Sequence, residues 1–542
     1  MTVIEKLFLY LRKQHIYIDK KEFTFQFESH PEYPSLLAVS DTLNFFNISN
    51  GALHVDAVDF KLLPKTFFTK LQETNTDTLT LVETKQSDNQ YRIYQGSKVK
   101  TVSRDSLLQK WKGIVFLIEN SEETRTHSTK IKEKHILLLL SLLSFTFLLQ
   151  YSFKNFAQLS FLMFPILGIL LSLAASKKVF NFNNSFLNQF CNGSETRSCD
   201  TVLDSSQWKI FQKINLSDLS IAFFIAQFFM FFISEATQSL TYYFEIQKIV
   251  LLTTFPIVFL SVYYQKFSIK KWCPICVSIA GIIIIEALFV YVNYGTTFLL
   301  FDFYQFNRYV FFSLLSLLSW YVVKEQFIIR NQLKSELIQV NRFKRDYTIF
   351  KTVLTSKNAY TIPKTAISLG NANAELKLIL ITSPFCGYCE EPFRMLLRLL
   401  EQYKDRLCVE LVYNINLEKI DVGAKLMLQN MLYIQQEFGN QKYVEALNYW
   451  YEVKDISLWL KKYKFKFDTK TIDKTLLTQR SWCVANKLTF TPCLFINEFQ
   501  FPKQYSLNDL PFFIEDALED FANNPAISRK AVNRVGTIIN SI

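Results

Sequence analysis

The chain has 542 residues, of which 49% are hydrophobic, and it contains 53 Phe and 26 Tyr. This composition argues against a purely soluble protein, and the length allows about three domains of roughly 150 residues each. The formal net charge of +12 comes without a basic motif that has interleaved recognition residues, and basic residues of membrane proteins gather near lipid headgroups. We therefore expect a multidomain protein whose partners include the lipid bilayer and do not include nucleic acid.

Residues 1–125 are polar and mixed in character. The stretches TLTLVET and KGIVFLIE have the length and pattern of strands, whereas PSLLAVSDTLNFF has helical spacing. Near the start, Glu5 and Lys6 interrupt the apolar core that a cleavable signal peptide needs. We predict a small α+β domain here and no signal peptide.

Six apolar segments follow, each close to the ~20 residues that cross a bilayer as a helix. They cover residues 136–153, 157–176, 218–236, 247–265, 274–293 and 308–323. The last is short and ringed by aromatic residues, so five spans are the alternative. We predict a membrane domain at 135–323, with a polar loop at 177–217, followed by a charged helical linker at 324–368.

The carboxy-terminal part predicts an α/β domain at 369–523. ELKLILITSPFCGYCEEPFRMLLRLLEQY gives strand, turn and helix, CVELVYNIN gives a second strand, and TPCLFINEFQ gives turn, strand and hairpin after a long helical stretch. Residues 524–542 have no periodic apolar pattern and are predicted to be a flexible tail.

Six of the nine cysteines form close pairs along the chain. These are Cys191 with Cys199, Cys273 with Cys276, and Cys386 with Cys389. Close pairs favour redox or metal chemistry over a disulfide scaffold. All five histidines lie between His15 and His135, which weakens mixed Cys/His zinc sites, so we predict no metal site.

Cys386 and Cys389 follow a predicted buried strand. We expect Cys386 where a helix begins and Cys389 one turn inside it. The free N–H groups and the positive dipole end of a helix stabilise a thiolate, so this pair suits thiol–disulfide exchange. A structural or zinc-binding CxxC is the alternative.

Thr491 and Pro492 directly precede the last predicted strand. With strand, CxxC, helix and then this proline, the domain at 369–523 resembles the thioredoxin superfamily. The resemblance implies a cis-proline at Pro492, opposite the cysteines, with neighbouring backbone that pairs with the incoming peptide. The helical stretch between its second and last strands resembles the insertion of larger thiol oxidases. Cys483 and Cys493 are interpreted as auxiliary or structural.

The other two pairs have a different setting. Seven residues separate Cys191 from Cys199, and the second pair opens the apolar segment KWCPICVSIAGIIIIEALFVYV. A plain loop disulfide is the alternative for the first pair. Together with Ser205, six residues after Cys199, this pattern over residues 158–323 resembles the vitamin K epoxide reductase family. Fusion to a thioredoxin-like domain resembles bacterial members of that family.

This second resemblance implies a four-helix core with extra spans and a path for electrons. Cys191 would exchange with the thioredoxin-like domain, and Cys199 would attack Cys273. Cys276 would face a quinone, either ubiquinone or menaquinone, and Ser205 would support the quinone site.

Glu286 lies ten residues beyond Cys276 in the same apolar segment. Ionisable groups at such depth are costly and often functional. A proton relay to the quinone is one interpretation, and a hydrogen bond to a neighbouring helix is the favoured one.

The amino-terminal domain resembles the peptidase domain that precedes bacteriocin-exporting transporters. The resemblance lies in SHPEYPSLLAVSDTLNFFNI, FKLLPKTFFTKL and SRDSLLQKWKGIVFLIE, and it implies a papain-like fold. Those peptidases use a cysteine nucleophile, whereas residues 1–125 contain no cysteine, which excludes cysteine proteolysis. We expect a catalytically inactive domain that binds or docks peptides.

Taken together, these features predict a quinone-dependent thiol oxidoreductase that promotes disulfide formation in substrate proteins or peptides. One alternative is an accessory factor for peptide export, whose first domain binds leader peptides. The other is a reductase in which electrons flow along the same cysteine pairs in the opposite direction. We expect a bacterial cytoplasmic membrane with the cysteine sites on the periplasmic face, because disulfides form outside the cytoplasm. Basic flanks such as Lys177 and Lys271 argue for the opposite orientation.

Overall fold

The computed structural model describes residues 3–73, 76–84, 90–95, 98–118, 156–180, 190–191, 197–203, 215–295, 302–356 and 358–523. The chain divides into two compact units. One contains the helices up to Glu336, and the other combines the amino-terminal domain with the chain from Leu337 onward. The predicted span at 136–153 and the predicted tail at 524–542 lie outside the described residues.

The amino-terminal domain has the predicted α+β character. Its elements are α1 (Val3–Lys13), α2 (Lys20–Glu28), α3 (Leu36–Phe45), β1 (Asn50–His54), β2 (Thr66–Glu73), β3 (Thr76–Thr84), β4 (Gln90–Gln95), β5 (Lys98–Ser103), α4 (Arg104–Leu108) and β6 (Trp111–Ile118). The sheet order is β1-β6-β2-β3-β4-β5. Apolar side chains of the first helices, such as Leu11 and Leu43, pack with Phe68 and Phe116 of the sheet in one core. The papain-like resemblance stays a prediction.

Five described helical segments are long and apolar enough to cross a membrane, so this is a multi-pass membrane protein. They are Ala157–Ala175, Leu216–Ala236, Leu240–Ile269, Pro274–Tyr294 and Phe303–Lys344, and they confirm five of the predicted spans. We number the helices of this unit α5 (Phe156–Phe161), α6 (Met163–Ala175), α7 (Lys177–Phe180), α8 (Cys199–Leu203), α9 (Leu216–Ala236), α10 (Leu240–Tyr263), α11 (Pro274–Tyr294) and α12 (Phe303–Lys344). A π-helical segment at Tyr264–Ile269 extends α10.

The cysteines of this unit gather at one end of the helix bundle. Short connections join α9 to α10 and α10 to α11, so these helices alternate in direction. Ala175, at the end of α6, packs in one buried cluster with Cys191, Cys199 and Cys273. We call this side of the bundle the cysteine end.

α12 is a single helix of 42 residues. At 1.5 Å per residue it is about 63 Å long, roughly twice the ~30 Å of a bilayer core. It passes through the predicted linker boundary at residue 324 without a break, because the residues that follow are strong helix formers with no Gly or Pro among them. Asp218 of α9 holds α12 near the cysteine end by accepting hydrogen bonds from Trp320 at 2.8 Å and Lys324 at 2.6 Å.

Close approach of α6 and α9 depends on Gly168. A Cβ atom at this position would lie 2.4 Å from the ring of Phe224. Small residues at helix contacts let membrane helices pack tightly. This contact holds the end of α6 beside the cysteines.

The carboxy-terminal domain contains a five-stranded sheet flanked by helices. Its elements are α13 (Tyr347–Thr355), β7 (Ile367–Gly370), β8 (Leu376–Thr382), α14 (Glu390–Tyr403), β9 (Leu407–Tyr413), α15 (Val422–Val453), α16 (Ile456–Lys462), α17 (Thr469–Ala485), β10 (Cys493–Ile496), β11 (Phe499–Gln500) and α18 (Ile514–Asn523), with a 3₁₀ segment at Leu507–Phe512. The strand order is β11-β10-β8-β9-β7. β8 and β9 are parallel and the other pairs are antiparallel. This topology is thioredoxin-like, as predicted.

The predicted helical stretch is present as α15 to α17. α15 consists of two helices joined at Gly439, which has a positive φ of 79°. Trp450 of α15 donates its indole N–H to the carbonyl oxygen of Pro384 at 2.8 Å, and its ring meets Phe385 at 5.7 Å. The insertion therefore supports the turn that carries Cys386.

The amino-terminal and thioredoxin-like domains are in contact within their shared unit. Arg345, just past α12, is 6% exposed. It donates to Gln26 Oε1 at 2.7 Å and to Asp509 Oδ1 at 3.4 Å, and its guanidinium lies 3.9 Å from the ring centre of Phe512. Phe45 of α3 stacks on Phe512 at 5.3 Å. These contacts dock the two domains on each other.

Candidate active site

Cys386 and Cys389 lie in a turn between β8 and α14. The N–H of Cys386 donates to the Ser383 carbonyl, and the N–H of Cys389 donates to the Cys386 carbonyl, both at 3.0 Å. α14 begins only at Glu390, with Cys389 as its N-cap. The prediction that Cys386 starts the helix, with Cys389 one turn inside, is therefore wrong by about a turn. Pro392 gives the reason, because a residue without an N–H is tolerated in the first helical turn and breaks a later one.

The two sulfurs of this turn have opposite electrostatic environments. Burial disfavours the thiolate of Cys386, but hydrogen bonds from Thr491, Cys389 and the backbone N–H of Tyr388 hold its pKa below that of an ordinary thiol. Burial raises the pKa of Cys389. Since the thiolate is the reactive species, the geometry favours Cys386 as the first sulfur to react.

The predicted peptide-binding residues lie beside this CxxC. The Thr491–Pro492 bond is cis, and the Cys386 sulfur lies 3.6 Å from the Thr491 carbonyl oxygen. Cys493 follows directly and is buried in one cluster with Cys483. The chain therefore brings together residues about a hundred positions apart in sequence, as the resemblance implies.

The remaining four cysteines of the predicted path form a chain of sulfurs at the cysteine end. Cys199 shares hydrogen bonds with both Cys273 and Cys191, and Cys273 shares another with Cys276. The N–H of Cys276 donates to the Cys273 sulfur at 3.4 Å. The hydrogen bond with Cys273, together with burial, raises the pKa of Cys199. The spatial order is therefore Cys191, Cys199, Cys273, Cys276.

Cys191 and Cys199 are buried beside the start of α11. Cys191, Cys199 and Cys273 are each 0% exposed. The N–H of Ser198 donates to the Trp272 carbonyl at 3.1 Å, which ties the loop to the helix mouth. In the part of the chain that the structure describes, no group of three or more His, Cys, Asp or Glu side chains is arranged to hold a metal ion.

Gln265 is a buried residue of this site that the sequence did not reveal. Its Oε1 atom accepts the N–H of Cys273 at 2.9 Å, and its Nε2 atom donates to the Ser261 hydroxyl at 3.3 Å. It lies in the π-helical segment, a local distortion that often marks functional sites. The sequence does show a polar residue at the end of an apolar segment, which can indicate a functional position. The direction in which the Gln265 side chain points, however, depends on the π-helical distortion.

A cavity of about 250 Å³ opens beside the last sulfur of the chain. Cys276 lies in its wall, and the cavity follows α11 as far as Ile283. The lining is mostly apolar, and its hydroxyl groups belong to Ser217, Ser220, Thr254 and Ser261. Ser205, which was predicted to support a quinone, lies outside the described residues.

Comparison with protein families finds a match to the vitamin K epoxide reductase family at residues 159–292. That range contains the four cysteines of the sulfur chain. No curated protein matches the chain significantly.

Several solved structures are similar to part of the chain. A periplasmic thioredoxin-like protein from Salmonella enterica serovar Typhimurium is 16% identical, over 32% of this chain and 97% of that one, with a TM-score of 0.25. Oxidised BdbD from Bacillus subtilis is 13% identical, over 30% of this chain and 100% of that one, with a TM-score of 0.26. The catalytic domain of Proteus mirabilis ScsC is 20% identical, over 31% of this chain and 99% of that one, with a TM-score of 0.25. At such TM-scores the thioredoxin-like assignment rests instead on the strand order and on the CxxC beside Pro492.

Proposed function

Since residues 159–292 form a vitamin K epoxide reductase family domain, we propose that this thiol oxidoreductase passes electrons from substrate dithiols to a quinone. The proposed path runs through Cys386 and Cys389, then Cys191 and Cys199, then Cys273 and Cys276. The observation that carries the proposal is the sulfur chain that ends in a cavity wall. Net disulfide formation in cysteine-containing proteins or peptides is the outcome.

The size and lining of the cavity support a quinone head group as its ligand. Its volume of about 250 Å³ is slightly below the ~300–1,000 Å³ of most ligand pockets, which suits a ring of either the ubiquinone or the menaquinone type. Ser261 accepts a hydrogen bond from Gln265, so its own O–H is available to donate to a ring carbonyl. A quinone bound here would supply an acceptor for two electrons and two protons.

The acid–base properties of the thioredoxin-like pair favour an oxidase over a reductase. In each exchange a thiolate attacks one sulfur of a disulfide and the other sulfur leaves. The lowered pKa of Cys386 stabilises the reduced pair, and a stabilised reduced form makes the corresponding disulfide a stronger oxidant. Electrons would therefore flow from substrate into this domain.

The loop pair requires two positions in this scheme. In the position described, Cys191 is buried against Cys199 and cannot meet another domain. We propose that Cys191 becomes accessible when it exchanges with the thioredoxin-like pair. The position described is the one in which Cys199 reaches Cys273.

Reduction of a short-chain quinone by purified full-length protein in lipid nanodiscs tests the function. With a dithiol donor, the wild type should reduce the quinone, and Cys276→Ser should not. Ala280→Phe, which fills the cavity, should abolish quinone reduction while one round of thiol exchange persists in an alkylation assay. Leu288→Phe is the matched control, because Leu288 lies on the same helix and is 62% exposed.

Two outcomes would contradict the proposal. A wild-type protein that reduces no quinone would refute the function itself. Wild-type activity in Ala280→Phe would show that the quinone binds elsewhere.

We also propose that the cysteine end faces the periplasm of a bacterial cytoplasmic membrane. Thr201, in α8 beside the loop pair, is exposed. In intact spheroplasts, Thr201→Cys should react with a membrane-impermeant thiol reagent, as detected by mass spectrometry of its peptide. Protection until the cells are lysed would reverse the orientation.

A further inference from the structure

A buried polar cluster in the middle of the bundle has no role in the proposed sulfur path. Glu286, Gln227 and Gln247 are each 0% exposed. Gln247 Nε2 donates to Glu286 Oε1 at 2.8 Å, and Gln227 Nε2 donates to the same oxygen. The Tyr309 hydroxyl donates to Gln247 Oε1 at 2.8 Å. Three helices, α9 to α11, therefore meet at this carboxyl group, as the favoured interpretation of Glu286 expects, and α12 joins the cluster through Gln247.

The hydrogen bonds of this cluster indicate that Glu286 carries a proton. Among the described residues no cation pairs with it, and Lys248 of α10 is bonded to Glu245. An unpaired carboxylate inside a bilayer is very costly. Glu286 Oε2 and Gln227 Oε1 are the two atoms of the pair without a partner. A proton on Oε2 would give each of them one, in the cyclic arrangement that a carboxylic acid forms with a primary amide.

This acid lies at the inner end of the cavity beside Cys276. Ile283 and Phe223 line the cavity, and Glu286 and Gln227 follow them by three and four residues on the same helices. Residues at these spacings share a helix face, so the acid lies about one turn, or ~5 Å, beyond the lining. Cys276 is ten residues away along α11, about 15 Å. The cavity therefore lies between the sulfur and the acid.

We propose that Glu286 donates a proton, through one bridging water, to the quinone oxygen that faces away from Cys276. This inference rests on the proposed function. The two carbonyl oxygens of a quinone lie on opposite sides of the ring, so only one of them can face the sulfurs. The other two buried acids described in the bundle, Asp218 and Glu245, are held in ion pairs.

The electrons and protons balance in this scheme. Cys273 and Cys276 form a disulfide, lose two electrons and release two protons. One of these protons goes to the near oxygen and the other to solvent. Glu286 protonates the far oxygen and regains a proton from solvent before the next turnover.

Infrared spectroscopy of the quinone-free protein tests the stored proton. The wild type should show the carbonyl band of a protonated carboxylic acid, with a shift in heavy water, and Glu286→Gln should lose that band. If the difference spectrum between wild type and Glu286→Gln contains no such band, Glu286 is ionised and the proposal fails.

Single-turnover quinone reduction by reduced protein tests the proton transfer. Glu286→Gln should slow the reaction at least tenfold, since a general acid typically contributes ~10²–10⁴-fold, and Glu286→Asp should restore part of the rate. Binding of the short-chain quinone and exchange among the thiols should be unchanged in Glu286→Gln. Tyr309→Phe is the control, because it loosens the cluster and leaves the acid in place.

The outcomes separate this inference from the proposed function. Equal slowing in Tyr309→Phe and Glu286→Gln would assign the effect to packing, and a wild-type rate in Glu286→Gln would exclude proton donation. A wild type without quinone reduction would refute the proposed function instead.

Discussion

Replacement of Arg345 by Met should loosen the amino-terminal domain from the thioredoxin-like domain without unfolding either one. The change removes a charged hydrogen bond to Gln26, which contributes about 1.5–3 kcal/mol, and a cation–π contact with Phe512 of about 1–2 kcal/mol. Two features reduce the loss of contact free energy between the two domains. Arg345 Nη1 has no hydrogen-bond partner, which costs about 1–3 kcal/mol in the wild type, and Asp509 keeps Lys344 at 2.8 Å.

The net weakening of the contact is therefore about 2 kcal/mol, or roughly 30-fold in the opening equilibrium. Hydrogen–deuterium exchange should show this factor in the amides of α2 and of the 3₁₀ segment Leu507–Phe512. Arg330→Met is the matched control, because Arg330 is exposed on α12. Unchanged exchange in Arg345→Met, or an equal change in the control, would refute the reasoning.

Three predictions concern the cysteines. Alkylation of Cys386 in the reduced protein should reach half its maximal rate at a pH below ~8.5, the pKa of a free thiol, because the pKa of Cys386 is lowered in the folded protein. The stability that this thiolate adds to the reduced domain is present above the unfolded pKa and is lost as the pH falls through the folded pKa; a midpoint at or above ~8.5 would contradict this. Cys389→Ala should trap mixed disulfides on Cys386 in acid-quenched cells, seen on diagonal gels, whereas equal trapping by Cys386→Ala would mean that the outer sulfur is misassigned. Cys276→Ser should leave a Cys199–Cys273 disulfide in unreduced digests by mass spectrometry, and a link from Cys273 to the other loop cysteine would reverse the assigned order.

Much of the fold could be predicted because its signals are local. Five spans follow from runs of apolar residues, since transfer of a helix into lipid depends on its own side chains. Strands β8 and β9 follow from short apolar runs of strand length. α14 begins about a turn later than the position of the CxxC indicates, because Pro392 is tolerated only in the first turn of a helix.

Contacts between distant segments could not be predicted in the same way. Glu286 meets Gln247 and Gln227, which are 39 and 59 residues away, and Arg345 meets Gln26 across 319 residues. A pattern of polar and apolar residues reports which side chains avoid lipid or water, and it does not report which partner each one finds. Helix packing makes that choice, because a buried polar group has to meet whatever donor or acceptor the neighbouring helices bring to it.

The sequence by itself indicated thiol–disulfide chemistry, because the close spacing of the cysteine pairs is a local property. The tertiary structure alone decided where the cavity at the end of the sulfur chain lies. It also decided the position of Gln265, whose bond to Cys273 depends on a π-helical segment. These features require segments far apart in the chain to pack together, and no single segment encodes them.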